Sequence, residues 1–203
     1  MQALVVGEGS VAEQLRSGLS ARGWDVAAGS ADLARLNMVV FVCPCSQQAT
    51  DCADMSAEMW AQGCEKPIAD ALAYLGEYRS ALLAAGGHVE FVVPSFAMSG
   101  AKGFSAVAAA GEGLRTLAKG AAKQWGKDNL RVNTIALDPQ HFVLGEIGEQ
   151  LSAVMGLATS SGFGHKGDIA GDIATTLDWL TSEDAHFITG ATLVLDGGIW
   201  MAG

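Results

Sequence analysis

The chain has 203 residues, of which half are apolar and 17% are charged, and its formal net charge is −10. This length predicts a single domain that buries a full core. The acidic balance argues against nucleic acid or an anionic membrane surface as a partner. No apolar run approaches the roughly 20 residues of a membrane span, and the first residues carry no basic signal-peptide region, so a cytoplasmic location is expected. The high apolar share with few charges favours an oligomer.

The chain begins with a strand–helix–strand pattern: a strand at residues 3–6, a helix at 10–21 and a strand at 24–28. Ser10 is the predicted N-cap of this helix. The turn through Gly7, Gly9 and Ala12 has the G-x-G-x-x-A outline of a dinucleotide-binding fold. The second strand ends without the acidic residue that such folds use to hold ribose. A tight turn that needs glycine is therefore the competing interpretation.

The middle of the chain continues the alternation of strand and helix. A short link at residues 29–36 leads to a strand at 37–42, and the polar segment 44–66 predicts a long loop or a short helix. A helix follows at 67–85, with Pro67 in its first turn. A buried strand at 86–94, an alanine-rich helix at 104–125 and a strand at 130–139 then form a βαβ unit, which implies a parallel sheet.

The last third is less regular. Residues 140–167 are rich in glycine, and within them 145–157 is the candidate for a helix. A helix is predicted at 171–182 and a strand at 191–195, followed by Ile199, Trp200 and Met201, which we expect at an interface. The βα alternation predicts an α/β fold with a mostly parallel, doubly wound sheet.

Four cysteines lie at positions 43, 45, 52 and 64. In a cytosolic chain of this size, reduced cysteines acting as small apolar side chains are expected rather than disulfides. Their spacing, C-x-C-x6-C-x11-C, matches no common zinc-ligand pattern. We therefore predict no metal site.

Three motifs resemble the classical short-chain dehydrogenases/reductases. Residues 172–198 resemble the family's C-terminal signature, in which a D-I-A helix leads to I-T-G and then to D-G-G. Arg131-Val132-Asn133 resembles the R-V-N strand, and residues 21–26 match the first helix-to-strand turn. The resemblance covers most of the chain, roughly residues 2–28 and 37–203.

The resemblance implies a truncated Rossmann-like sheet of about six strands within one domain, residues 1–203. The link at 29–36 is too short for the family's third strand and its flanking helix, which build the adenine pocket. The third strand is an edge strand, so the sheet is expected to fold without it.

Members of the family use an Asn-Ser-Tyr-Lys constellation. The tyrosine is the general acid/base, the lysine lowers its pKa, and the serine orients the carbonyl. By sequence counting, these four positions fall in order on Pro67, Pro94, Val107 and Gly111. None of these side chains transfers a proton, as general acid–base catalysis requires. The resemblance therefore implies a chain without catalytic residues.

The cofactor side departs from the family pattern as well. The glycine-rich turn is shorter here, and Glu8 would place a carboxylate beside the pyrophosphate position, where backbone N–H groups should attract the phosphate. We predict that the degenerate turn of Gly7, Gly9 and Ala12 binds no cofactor.

These departures predict a non-catalytic subunit of a heteromeric NAD-dependent dehydrogenase. The helices at 67–85 and 104–125 and the C-terminal helix and strand correspond to surfaces that family members use in dimers and tetramers. An active paralogue would hold NAD in a hetero-oligomer, expected as a heterotetramer. Hydroxybenzylsuccinyl-CoA dehydrogenases of anaerobic toluene degradation, with one inactive and one active subunit type, are similar in design, which suggests oxidation of a hydroxyacyl-CoA.

Two alternatives stay open at this point. The first alternative is a stand-alone binding or regulatory protein that uses its degenerate cleft for a small ligand. The second is an enzyme with relocated catalytic groups. Binding of nicotinamide nucleotides or acyl-CoA compounds to the isolated chain would favour the first alternative, and NAD-dependent turnover would favour the second.

Overall fold

The computed structural model describes residues 1–27, 34–148, 162–163 and 165–200. Its strands are β1 (Gln2–Val6), β2 (Asp25–Ala27), β3 (Met38–Val42), β4 (His88–Pro94), β5 (Arg131–Leu137) and β6 (Thr192–Leu195). Its helices are α1 (Ser10–Ala21), α2 (Ala57–Trp60), α3 (Lys66–Ala85), α4 (Ser105–Trp125) and α5 (Ala174–Leu180). Single π-helical turns precede α3 (Ala61–Glu65) and α5 (Ile169–Ile173).

The six strands form one sheet in the order β2-β1-β3-β4-β5-β6, and all neighbouring strands are parallel. The predicted α/β class and the six-stranded, doubly wound sheet are confirmed. β2 and β6 are its edge strands, so the sheet stops at β2 among the residues described. Strand order reverses between β1 and β3, and folds of this kind bind ligands outside the carboxyl ends of the strands at such a point.

Two helical layers cover the sheet because its central strands β1, β3, β4 and β5 bury side chains on both faces, whereas the edge strands β2 and β6 are only partly buried. Phe91 and Val93 of β4 lie in the core beneath α3 and α4, whereas Val92 points to the opposite face, which α1 and α5 cover. The long helices present alanine and leucine to the sheet, as their periodicity predicts. Within the described ranges, no helix is long and apolar enough to cross a membrane.

Most predicted elements differ from the observed ones only at their ends. The helix expected at 171–182 is shorter, because a π-helical turn takes its first residues and α5 ends at Leu180. Of the candidate helix at 145–157, residues 145–148 are helical. Residues 149–157 and most of the predicted link, 29–33, lie outside the described residues.

Two sequence-based expectations were wrong. The N-cap of α1 is Gly9, with a φ of 84°, and not Ser10, because only glycine adopts this backbone without strain. Ile199 is fully buried and belongs to the chain's own core. The Asp196 carboxylate accepts hydrogen bonds from the N–H groups of three following residues, Gly198, Ile199 and Trp200, which turns the chain inward. Trp200 is half-buried, and Met201 lies outside the described residues.

Candidate functional site

The turn between β1 and α1 lies at the point where strand order reverses. Gly7 and Gly9 have φ angles of 129° and 84°, which favour glycine. A Cβ on Gly7 would lie 3.0 Å from the Cβ of Val42, so the turn packs directly against β3. Ala12, in the first turn of α1, is fully buried, while Glu8 is exposed at the tip of the glycine turn. The positive φ angles of the two glycines are therefore explained by the tight connection from β1 to α1.

Arg16 of α1 closes the side of the turn that faces β2. Within the described residues, the pairing of β1 with β2 reaches Leu4 and Ala27. The Arg16 guanidinium donates hydrogen bonds to the carbonyl oxygens of Val5 at 2.9 Å and Gly7 at 2.7 Å. It therefore occupies the side on which a dinucleotide-binding fold holds the adenosine ribose.

The segment that follows β3 crosses the carboxyl edge of the sheet. The Gln47 side chain donates a hydrogen bond to the carbonyl oxygen of Phe142 at 2.7 Å and accepts one from the N–H of Leu144 at 3.1 Å. These two bonds join the segment after β3 to the segment after β5. We call this pair of contacts the Gln47 clamp.

Pro44 and Cys45 divide the region above β1 and β3 into separate cavities. Both residues line a cavity of about 840 Å³ beside the glycine turn, a second of about 370 Å³ against α4, and a third of about 190 Å³ that His141 also lines. The segment after β3 thus lines all three of these cavities.

The thiols near this region are poor nucleophiles. Burial raises the pKa of the Cys45 thiol to about 12 and also raises the pKa of Cys43, so both remain protonated at neutral pH, whereas nucleophilic attack requires the thiolate. All four cysteines are free. Within the residues that the structure describes, no three His, Cys, Asp or Glu side chains are grouped to hold a metal ion.

Comparison with known proteins identifies the family. A family model described as enoyl-(acyl carrier protein) reductase matches residues 26–200, which is most of the chain. The chain belongs to the short-chain dehydrogenase/reductase family. Its fold is similar to the crystal structure of sorbitol-6-phosphate 2-dehydrogenase from Erwinia amylovora, with a TM-score of 0.80 and 14% identity over 100% of both chains.

Two curated relatives match shorter stretches. A 7alpha-hydroxysteroid dehydrogenase of Bacteroides fragilis is 37% identical over 92 residues, which cover 43% of this chain and 33% of the relative. A 12alpha-hydroxysteroid dehydrogenase of a Clostridium species is 36% identical over 97 residues, covering 45% of this chain and 36% of the relative. The matched stretches therefore span about a third of the length of these relatives.

The structure brings two of the four counted short-chain dehydrogenase positions to one cavity. Pro67 of α3 and Val107 of α4 both line the 370 Å³ cavity, together with Phe104. Pro94 is the last residue of β4, and Gly111 lies one helical turn after Val107 on α4. The cavity walls near Pro67 and Val107 are apolar, and the cavity's polar lining comes from Gln, Ser, Thr and Cys side chains.

Gly111 marks a close approach of α4 to the segment after β4. A Cβ at Gly111 would lie 2.6 Å from the Cβ of Ala97, closer than real Cβ atoms come to other heavy atoms. The position that the family's lysine would take therefore has no room for any side chain unless the backbone shifts. The absence of the lysine is evident from the sequence, but this steric reason is visible only in three dimensions.

A buried polar cluster on β4 and β5 was not predicted. His88, Glu90 and Asn133 are all buried, and Arg131 lies beside them. The Arg131 guanidinium lies 2.9 Å from Nε2 of His88, and since a guanidinium only donates, Nε2 is the acceptor. Glu90 inside an apolar strand run was the available sequence signal for this cluster. It lies outside the cavities described above.

Proposed function

We propose that this chain is a non-catalytic subunit of a heteromeric NAD-dependent short-chain dehydrogenase. In this assembly, an active relative with an intact Tyr-x-x-x-Lys motif binds NAD and transfers the hydride. This chain supports the assembly or stability of that relative. The observation that carries the proposal is the steric exclusion at Gly111, together with the Gln47 clamp over the cleft.

The first support is chemical. A reductase of this type needs a side chain that exchanges a proton with the substrate oxygen. The residues at the counted positions, Pro67, Pro94, Val107 and Gly111, carry no titratable group. The nearby thiol of Cys45 is held protonated by burial, which raises its pKa to about 12. None of these groups can act as the acid or base at neutral pH.

The second support concerns the coenzyme. The Gln47 clamp ties the two segments that would have to separate around a nicotinamide. The exposed carboxylate of Glu8 adds a negative charge where a pyrophosphate would bind. Each feature opposes binding of a dinucleotide by a different physical mechanism.

The third support is the distribution of exposed apolar side chains. One group lies on α2 and α3, where Met59, Trp60 and Leu72 are exposed by 37% to 51%. A second group lies around α5 and the edge strand β6, comprising Phe163, Trp179, Phe187 and Val194. An edge strand also presents unpaired backbone groups that pair with another chain. Two such surfaces are suited to an assembly with more than one interface.

Affinity capture from source cells tests the proposal. A tagged copy of this chain should co-purify with a family member that carries Tyr-x-x-x-Lys, identified by mass spectrometry. Co-expression should then increase the soluble yield or the specific activity of that member. Recovery of homo-oligomers only, or unchanged yield and activity on co-expression, would contradict the proposal.

A second candidate function is favoured by the size of the largest cavity described. The 840 Å³ cavity combines Phe41 and Tyr74 with the charged groups of Arg16, Lys66 and Asp70, which is the mixture typical of small-ligand sites. In this case the chain is a stand-alone binding or regulatory protein. Calorimetry with nicotinamide nucleotides and acyl-CoA compounds separates the two functions, because tight binding by the isolated chain supports only the second.

A further inference from the structure

Glu90 places a carboxyl group at the centre of the sheet. It is fully buried on β4, between Val40 of β3 and Asn133 of β5 in the strand register. Oε1 lies 3.5 Å from Nδ2 of Asn133, at the limit of a hydrogen bond. Oε2 has no hydrogen-bond partner among the described residues. An ionised carboxylate in such a place is costly unless charge or hydrogen bonds compensate it.

The charged groups around Glu90 offset only part of the cost of burying its negative charge. His88 lies two residues earlier on the same strand face, Arg131 lies on β5, and Glu183 lies in the turn after α5 and interacts with Arg131. The buried apolar side chains on this face come from β3, α1 and α5, among other elements. Burial raises the pKa of Glu90 to about 8, although the Asn133 hydrogen bond and the Arg131 charge act in the opposite direction. Burial therefore favours the neutral form of Glu90 at pH 7.

Asn133 connects Glu90 to the segment that leads into β6. Its Nδ2 also lies 3.4 Å from the carbonyl oxygen of Ile188, and its Oδ1 accepts a hydrogen bond from the N–H of Ala191 at 3.2 Å. The N–H of Val132 donates to the hydroxyl of Thr189 at 3.1 Å. Backbone hydrogen bonds also hold this segment on β5, from the N–H of Gly190 to the carbonyl oxygen of Val132 at 2.7 Å and from the N–H of Thr134 to the carbonyl oxygen of Ala191 at 2.9 Å. Asn133, adjacent to Glu90, thus contributes part of the attachment of residues 188–191, and Thr192 begins β6.

We propose that Glu90 is a proton-operated latch that keeps residues 188–191 and strand β6 docked on β5. The neutral form of Glu90 is stable in the apolar core, whereas the ionised form requires hydration. For water to reach the ionised carboxylate, the contacts of Asn133 with Ile188 and Ala191 must break. Ionisation then loosens β6, one of the surfaces assigned above to assembly. The consequence for assembly rests on the proposed function, but the latch itself does not.

Hydrogen exchange of the purified chain between pH 6 and pH 9.5, corrected for intrinsic exchange rates, tests the latch. Above pH 8 the ratio of ionised to neutral Glu90 rises about tenfold per pH unit, so protection of residues 190–195 should fall by up to the same factor. Protection of β1 and β3 should not change in parallel. Glu90→Gln should remove this pH response, while Asp184→Asn, which changes an exposed acid in the turn after α5, should retain it.

Several outcomes would overturn the latch. These are pH-independent protection of residues 190–195 in the parent chain, an equal pH response in Glu90→Gln, and loss of the response in Asp184→Asn. If Glu90→Gln does not fold, infrared spectroscopy of the parent chain tests the same point. It should show a protonated carboxyl band that disappears as the pH rises through about 8, and its absence at pH 6 would refute the proposal. Because both measurements use this chain alone, they fail or succeed independently of any partner.

Discussion

The side-chain amide of Gln47 donates a hydrogen bond of 2.7 Å to the carbonyl oxygen of Phe142 across the carboxyl edge of the sheet. The same side chain accepts a bond from the N–H of Leu144. This edge is where a doubly wound fold usually opens to a ligand. In this chain, the two segments are tied together instead.

Replacing Gln47 by alanine should release the clamp. Because two hydrogen bonds are lost, we expect the free energy of unfolding to fall by about 1–2 kcal/mol, measured by urea denaturation. Proteolysis within residues 44–56 should also become faster. Gln48→Ala is the control, since Gln48 is exposed and its side chain lies outside the clamp. Equal stability of the two variants would show that the clamp contributes nothing.

The close approach at Gly111 predicts opposite effects of two alanine substitutions in α4. Gly111→Ala should destabilise the protein by about 1–3 kcal/mol, because its Cβ overlaps that of Ala97. Gly120→Ala should stabilise it by about 0.5–1 kcal/mol, because a Cβ there meets no atom within 4 Å and alanine favours the helix. Urea denaturation of both variants provides the comparison. Stabilisation by Gly111→Ala would contradict the described packing.

Restoring the two family residues on α4 should not restore an enzyme. The double variant Val107→Tyr, Gly111→Lys regains the Tyr-x-x-x-Lys spacing, but position 111 lacks room for a side chain and the Gln47 clamp still ties the segments after β3 and β5 together. We expect no NADH consumption, followed by absorbance, with circular dichroism confirming the fold. Measurable turnover would mean that the cleft is competent and that only these side chains were missing.

His88 predicts a loss of stability on the acid side. Burial and the Arg131 charge lower its pKa from 6.5 to about 3. Below pH 6.5 the unfolded chain gains a proton that the folded chain does not, so stability falls toward pH 3 by up to about 1.4 kcal/mol per pH unit. In His88→Asn, the free energy of unfolding measured by urea denaturation should fall less as the pH decreases from 6.5 toward 3. His186→Asn, at an exposed histidine, serves as the control. If the loss of stability at low pH were unchanged in His88→Asn, His88 would not be its cause.

The sequence was most informative where apolar periodicity decides the structure. Val132 and Leu137 of β5, and Leu114 and Ala118 of α4, are buried as the spacing predicts. A helix or strand that buries one face must repeat apolar residues at its own period, so these elements are encoded locally. The glycine turn was recognisable for the same reason, because its conformation depends on a few adjacent residues.

The features that decide the site are not local. Gln47 contacts Leu144, 97 residues away, and nothing in the polar segment around Gln47 indicates this partner. The exclusion at Gly111 depends on how closely α4 approaches Ala97, which no spacing rule provides. Glu90 was visible as an acid within an apolar run, but its neighbours Asn133 and Arg131 come from a strand more than forty residues later.

Titration of the purified chain with NADH, followed by fluorescence and calorimetry, tests the central claim most directly because it needs no knowledge of the substrate. We predict no saturable binding at concentrations at which a relative with Tyr-x-x-x-Lys saturates. The proposal of a non-catalytic subunit would be contradicted by saturable NADH binding that substitution of Gly7 and Gly9 abolishes, together with hydride transfer to any substrate.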